Sequence, residues 1–129
     1  MHSHASTTVA QVLNDTTVRI YFTCRDAAKR SHIGRLDLAL AGDDFEVLEV
    51  DSEPVLEPGQ AGLFDDSGVT MGALIEHENQ HYLYYVGWNL GVTVPWRNFI
   101  GLATAQNSGR EFAKYDDVPV LDRHHIDPY

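Results

Sequence analysis

The chain has 129 residues, 43% hydrophobic and 22% charged, a balance that fits one globular domain. Nineteen acidic side chains against nine Lys plus Arg give a formal charge of −10, and Lys29 and Lys114 are the only lysines. This excludes the broad basic face that nucleic acid or an anionic membrane requires, and no apolar run approaches the ~20 residues of a membrane-spanning helix.

Runs rich in Val, Ile, Tyr and Phe, bounded by turn residues, predict eight short strands. Residues 8–13 form the first, followed by an Asn14-Asp15 turn and a strand over 18–23. A loop through Lys29 and Arg30 leads to 32–40, and Gly42-Asp43-Asp44 turns into 45–50. "DAAKR" (26–30) has room for one helical turn at most. Pro58-Gly59 and "QAGLFDDSG" (60–68) then link to a strand over 69–75. Glu78-Asn79 turns into 81–87, a long loop leads to 99–105, and Asn107-Ser108-Gly109 turns into 111–115. No sustained helical period occurs. Cys24, the only cysteine, permits no internal disulfide and no cysteine-based zinc site; its place in "RIYFTC" reads as core packing. Met1 to Thr8 lacks the basic and apolar regions of a signal peptide, so the expected location is cytoplasmic.

The eight strands form two copies of one unit. "RIYFTCRD" aligns with "YLYYVGWN" and sets Tyr21 against Tyr84, 63 residues apart. "HIGRLDLAL" aligns with "FIGLATAQN" and sets Gly34 against Gly101, 67 apart; Phe45 against Phe112 keeps that spacing, and "PVL" recurs after 65. The spacing grows only at the loop after the second strand. Two four-stranded antiparallel units of this size predict an all-β fold of two β-propeller blades, the first over 5–57 and the second over 65–121, with a tail over 122–129. A single β-sandwich of seven or eight strands is the competing architecture, and the repeat favours blades.

The segments "FDDSGVT", "YLYYVGWNLGVTVPWRNFIGLA" and "PVLDRHHIDPY" resemble a bacterial family of five-bladed propellers related to glycoside hydrolases of the arabinanase and levansucrase type. "IYFTCRD", "SHIGRLDLAL", "EPVLEPG" and "SHA" extend the resemblance over essentially the whole chain, which corresponds to about two of five blades. The resemblance implies ligands at one mouth of a central funnel. The substrate-binding residues it implies are Asp65, Trp88, Asn89, Trp96, Arg97 and Asn98 from the second blade and His4, Arg25 and Asp26 from the first. Aromatic faces stack on sugar rings, and Arg, Asn and Asp side chains take hydroxyl hydrogen bonds.

Each residue also has a structural reading. Asp65 and Asp66 suit a turn, Trp88 and Trp96 suit packing between blades, Arg97 suits a buried pair with Asp66 or Asp127, and Arg25-Asp26 suits a local surface pair. Glycoside hydrolysis needs two carboxyl groups at a set separation. Asp66 and Asp127 are the candidate catalytic pair, an incomplete set because the first inner strand carries no acid. The sequence therefore predicts a carbohydrate-binding or assembly module, the alternative being a glycosidase-like enzyme completed by oligomerisation. His2, His4 and the adjacent His124-His125 do not have metal-ligand spacing on a strand face. No phosphate loop, nucleophile elbow or HExxH occurs, so neither metal nor cofactor is expected. Exposed blade faces predict a homo-oligomer, with the rotation between blades leaning to a trimer over a dimer.

Overall fold

The computed structural model describes residues 2–106 and 109–122. Eight strands follow in order: β1 (Ser3–Asn14), β2 (Thr17–Arg25), β3 (Ser31–Ala41), β4 (Asp44–Val50), β5 (Gly68–His77), β6 (Gln80–Leu90), β7 (Trp96–Gln106) and β8 (Ala113–Lys114). The fold is all-β, and no helix occurs among the described residues. Strands β1 to β4 pair antiparallel in sequence order, as do β5 to β8. One parallel bridge, Ser31↔Gly68, joins the two meanders. Hydrogen bonding thus links all eight strands into one open sheet, where the sequence suggested two separate units.

The turns follow the sequence chemistry. Asn14 Oδ1 accepts from Thr16 N at 3.0 Å, closing the β1–β2 turn. Glu78 and Asn79 both take positive φ, 49° and 62°, the backbone that a two-residue hairpin twisting with its strands requires. Residues 26–30 form a hydrogen-bonded turn: Asp26 N donates to Arg30 O and Lys29 N to Asp26 O. The turn expected over Asn107-Ser108-Gly109 lies partly outside the described residues.

Two expectations are corrected. The long loop after β6 is short, because the β6–β7 ladder continues through Trp88↔Asn98, Asn89↔Arg97 and Leu90↔Trp96, leaving only residues 91–95 to turn. Trp88, Asn89, Trp96, Arg97 and Asn98 are therefore strand residues. Large aromatic and polar side chains read as a loop, yet on a projecting hairpin they pair across the ladder at little cost. The last strand is two residues long rather than five, because β8 meets β7 only through Ala103↔Lys114 and Thr104↔Ala113.

The ladders carry the repeat. Phe22 pairs with Gly34 as Tyr85 pairs with Gly101. Val55 N donates to Ile33 O and Ile33 N to Leu56 O; Val120 N donates to Ile100 O and Ile100 N to Leu121 O, the same pattern on the second "PVL". Strand alternation then sends Tyr21 and Ile33 toward the second meander, where they meet Val69, Met71, Leu83, Tyr85 and Ala103, with Val55, Leu56, Phe64 and Phe112 closing the edge. Each fully buried aliphatic or aromatic chain contributes about 1.5–3 kcal/mol. Phe112 N donates to Val55 O at 3.0 Å and Met71 N to Thr23 Oγ1 at 3.0 Å, tying the meanders by hydrogen bonds as well.

A charged network lies in the same junction. Arg35 is fully buried, and its guanidinium donates to Asp51, to Glu49 at 3.1 Å and to Asp37 at 3.4 Å. Arg19 pairs with Asp37 at 2.9 Å, and Arg110, from the second meander, reaches Glu49 at 2.7 Å. The hydrogen bonds that Arg35 donates to Asp51 outweigh its burial and hold its guanidinium above its ordinary value. Cys24 sits in the core at 2% exposure, and burial pushes its thiol up.

Candidate functional site

One register row crosses the sheet at a single end. Ser3 pairs with Arg25, Arg25 with Ser31, Ser31 with Gly68, Gly68 with Trp88, and Trp88 with Asn98. The row is continuous because β3 and β5 pair at this one bridge. It gathers the polar strand ends of both meanders on one rim.

Trp88 is the centre of that rim. Its Nε1 donates to Ser31 Oγ at 2.7 Å, so the indole lies across Gly68 and bridges the meanders. A Cβ at position 68 would collide with both Ser31 Oγ and the Trp88 ring, which is why glycine stands there. Beside the indole is an open cleft of about 600 Å³ lined by Arg25, Lys29, Arg30, Asp66, Ser67 and Leu90 among others. Asp66 is half-buried. Its Oδ2 accepts from Gly62 N at 2.9 Å and its Oδ1 from Ser67 Oγ at 2.9 Å, the bonds of a turn.

Asp65 points the other way. It is 1% exposed, and its Oδ2 accepts from Tyr85 OH at 3.1 Å and from Lys114 Nζ at 2.6 Å. Burial first, then the Asp65 charge, pushes the Tyr85 phenol well up. Asp65 therefore serves the core between linker and second meander and does not reach the cleft. Asp65 Oδ1 and Asn89 Oδ1 are buried acceptors without a protein partner.

Asp26 anchors the β2–β3 turn. Its Oδ1 accepts from Arg30 N at 2.9 Å and its Oδ2 from Arg30 Nε at 3.0 Å, with His32 Nε2 at 3.1 Å. Burial opposes ionisation, but the bonds from His32 and Arg30 prevail and hold the carboxyl down, at about 2. The expected Arg25-Asp26 pair is thus replaced by Asp26 with Arg30 and His32, because the turn brings residue 30 back onto 26. Arg97 is exposed and has no ion pair with Asp66, since its strand carries it outward on the β6–β7 hairpin. Trp96 is 60% exposed, so it does not pack between meanders. Asn98 is exposed in the row, and His4 is exposed with Nδ1 at 2.8 Å from Ser3 Oγ. Asp127 lies outside the described residues.

The cleft thus unites Arg25, Asp66 and Trp88 from the expected set, while Asn89, Trp96, Arg97 and Asn98 stand on the adjoining hairpin. Ser31, Lys29, Arg30 and Ser67 were missed. Their signal was present: Lys29 and Arg30 occupy the turn directly after Arg25, and Ser31 opens the strand. A larger hollow, about 750 Å³, lies between the linker and residues 110–117. Its cations are already neutralised, Arg110 by Glu49 and Lys114 by Asp65. The rim cleft, with an aromatic face and unpaired cations, is the better equipped site.

No protein-family model matches the chain. It is 41% identical over 129 residues to the uncharacterized protein Rv1502 of Mycobacterium tuberculosis (strain ATCC 25618 / H37Rv) and equally to the uncharacterized protein MT1551 of Mycobacterium tuberculosis (strain CDC 1551 / Oshkosh). The alignment covers 98% of this chain and 42% of each relative, so the chain spans well under half the length of the curated relatives it matches. Among solved structures it is similar to a glycosyl hydrolase from Bacteroides ovatus, with TM-score 0.60 and 15% identity over 85% of this chain and 30% of that one. It is also similar to BT0996 in an RGII complex, with TM-score 0.61 and 15% identity over 97% of this chain and 40% of that one. At such identities the likeness is one of fold: the chain has an all-β fold shared with glycoside hydrolase-like proteins.

Proposed function

We propose that the chain is a carbohydrate-binding or assembly module of glycosidase-like descent, holding a glycan in the cleft beside Trp88. The observation that carries this reading is the register row, which brings an aromatic face and the side chains of Arg25, Asp66 and Ser67 around one open cleft. Sugar recognition combines a stacking surface with a few polar groups in fixed geometry. Trp88 has that fixed geometry through its bond to Ser31. The fold shared with glycoside hydrolase-like proteins supports the same reading. A glycan array with the wild-type chain and with Trp88→Ala tests it: glycans retained by the first and lost by the second are expected, and a blank array for both contradicts it.

The two meanders are read here as two blades of a five-bladed propeller. The second blade then lacks the cover that the first receives. Tyr84 is 36% and Ile75 50% exposed on the second meander, and an uncovered apolar face favours association. Further copies of this chain supply the cover in this reading, with a trimer closing a ring more readily than a dimer. Light scattering should give more than one chain's mass at micromolar concentration; the mass of one chain contradicts assembly, and a dimer contradicts the ring.

One observation favours the enzymatic alternative, in which assembly completes a hydrolase: Asp66 borders the cleft. Against it, both Asp66 oxygens are engaged within the turn and Asp65 is sealed off by Lys114 and Tyr85. The second carboxylate then comes from another unit. Turnover of a chromogenic glycoside, abolished by Asp66→Asn, would establish this alternative.

A further inference from the structure

We infer that the glycan taken by the rim cleft is an acidic one, held through a sugar carboxylate such as that of a uronic acid; this rests on the glycan-binding reading above. The warrant is the distribution of positive charge. In a chain of net charge −10 every cation has acidic side chains to choose from. Arg19 pairs with Asp37, Arg30 with Asp26, Arg35 with Asp51, Arg110 with Glu49 and Lys114 with Asp65. Among the described residues, the Lys and Arg side chains with no carboxylate partner are Arg25, Lys29 and Arg97. All three stand at the end of the sheet that bears the cleft: Arg25 in the register row, Lys29 in the turn after it, and Arg97 opposite Asn89 on the hairpin.

Two of them line the cleft itself, next to Trp88. The single carboxylate lining it, Asp66, already accepts bonds from Gly62 N and Ser67 Oγ. Lys29 is presented by a backbone at φ 66°, a left-handed conformation that a side-chain-bearing residue rarely adopts. The turn is held in that shape by the bonds of Asp26 to Arg30 and His32. The backbone that carries Lys29 is thus set before any ligand arrives, which lowers the ordering cost of binding. A sugar ring lying on Trp88 sets its carboxylate beside a guanidinium and an ammonium, and charge-assisted hydrogen bonds of this kind are the strong ones.

The test is a calorimetric titration of the full chain at about 50 mM salt with three probes: an oligogalacturonide, its methyl ester, and inorganic sulfate. The acid form should bind about tenfold more tightly than the ester, the sum of two partly exposed charge contacts. The double variant Arg25→Gln, Lys29→Gln, with its fold checked by circular dichroism, should abolish the preference, binding the acid form no more tightly than it binds the ester. Raising salt to about 0.5 M should shrink the preference. An ester that binds as tightly as the acid overturns the inference while leaving glycan binding in place. Sulfate binding as tightly as the acid also overturns it, by assigning the cleft to a bare anion. If neither sugar binds at millimolar concentration, the glycan reading falls and this inference falls with it.

Discussion

Tyr21 and Tyr84 occupy the same position of the repeat, yet one is fully buried and the other 36% exposed. The same contrast runs along the neighbouring strands. Ile33 is 0% exposed where Ile100 is half-buried, and Arg35 is 0% exposed where Leu102 is half-buried. Backbone register is therefore a property of the repeat, whereas burial is a property of what lies next to it. The first meander has the second for a neighbour; the equivalent face of the second has none among the described residues. The side chains follow: Tyr21 OH donates to Gly109 O at 3.0 Å, a partner that comes from the other meander.

The sharpest way to break this comparison is to remove the buried charge. Arg35→Ala takes from Asp51 its hydrogen-bonding partner, leaving it only Arg110 at 3.6 Å, and should cost about 3–5 kcal/mol. Leu102→Ala, at the equivalent position, should cost about 1 kcal/mol, because a half-buried side chain leaves a cavity open to solvent. Urea unfolding of both variants measures the pair. Similar losses would mean that the two faces are covered alike.

A finer comparison uses one hydroxyl. Tyr21→Phe strips Gly109 O of its donor and should cost about 1 kcal/mol, while Tyr84→Phe should fall within a few tenths of wild type. Tyr84 becoming the more sensitive of the two would show that its face is covered in solution.

The smallest effect concerns pH and the rim. The Asp26 carboxyl lies lower in the folded chain, at about 2, than its ordinary value near 4. A depressed carboxyl stabilises the fold fully above the ordinary value and loses that contribution as pH falls through the folded one. Asp26→Asn should therefore cost up to about 1 kcal/mol, after allowance for solvent screening, at every pH above 4. The cost should vanish toward pH 2. A cost independent of pH down to 2 would mean that the carboxylate charge is not what matters there.

Strand order, the turns at Asn14 and Glu78-Asn79, and the repeat itself were legible because each is written in local residue chemistry. The extent of the β6–β7 hairpin was not. Trp88 to Asn98 carries polar and aromatic residues on both sides of a short turn, and only the partner strand reveals that they pair. The rim was legible in outline from Arg25, Asp66 and Trp88. Asp65 was misjudged because two adjacent aspartates in a turn look equivalent in sequence, while their side chains diverge, one to Lys114 and one to Ser67. The Arg35 network was invisible for a related reason: its carboxylates come from β3, β4 and the start of the linker, and nothing local marks them as partners.

The central claim is that the cleft beside Trp88 is where a glycan binds. The chain contains two tryptophans, one fixed against Ser31 and one 60% exposed at the start of β7. Their indole N–H resonances can be followed separately in a nitrogen–proton correlation spectrum during titration with a glycan selected from the array. The Trp88 indole should shift most, together with the amides of Arg25 and Ser67, while β4, paired with the Leu36–Ala41 end of β3 away from Ser31, stays unmoved. Shifts concentrated on residues 110–117, with Trp88 unaffected, would contradict the claim.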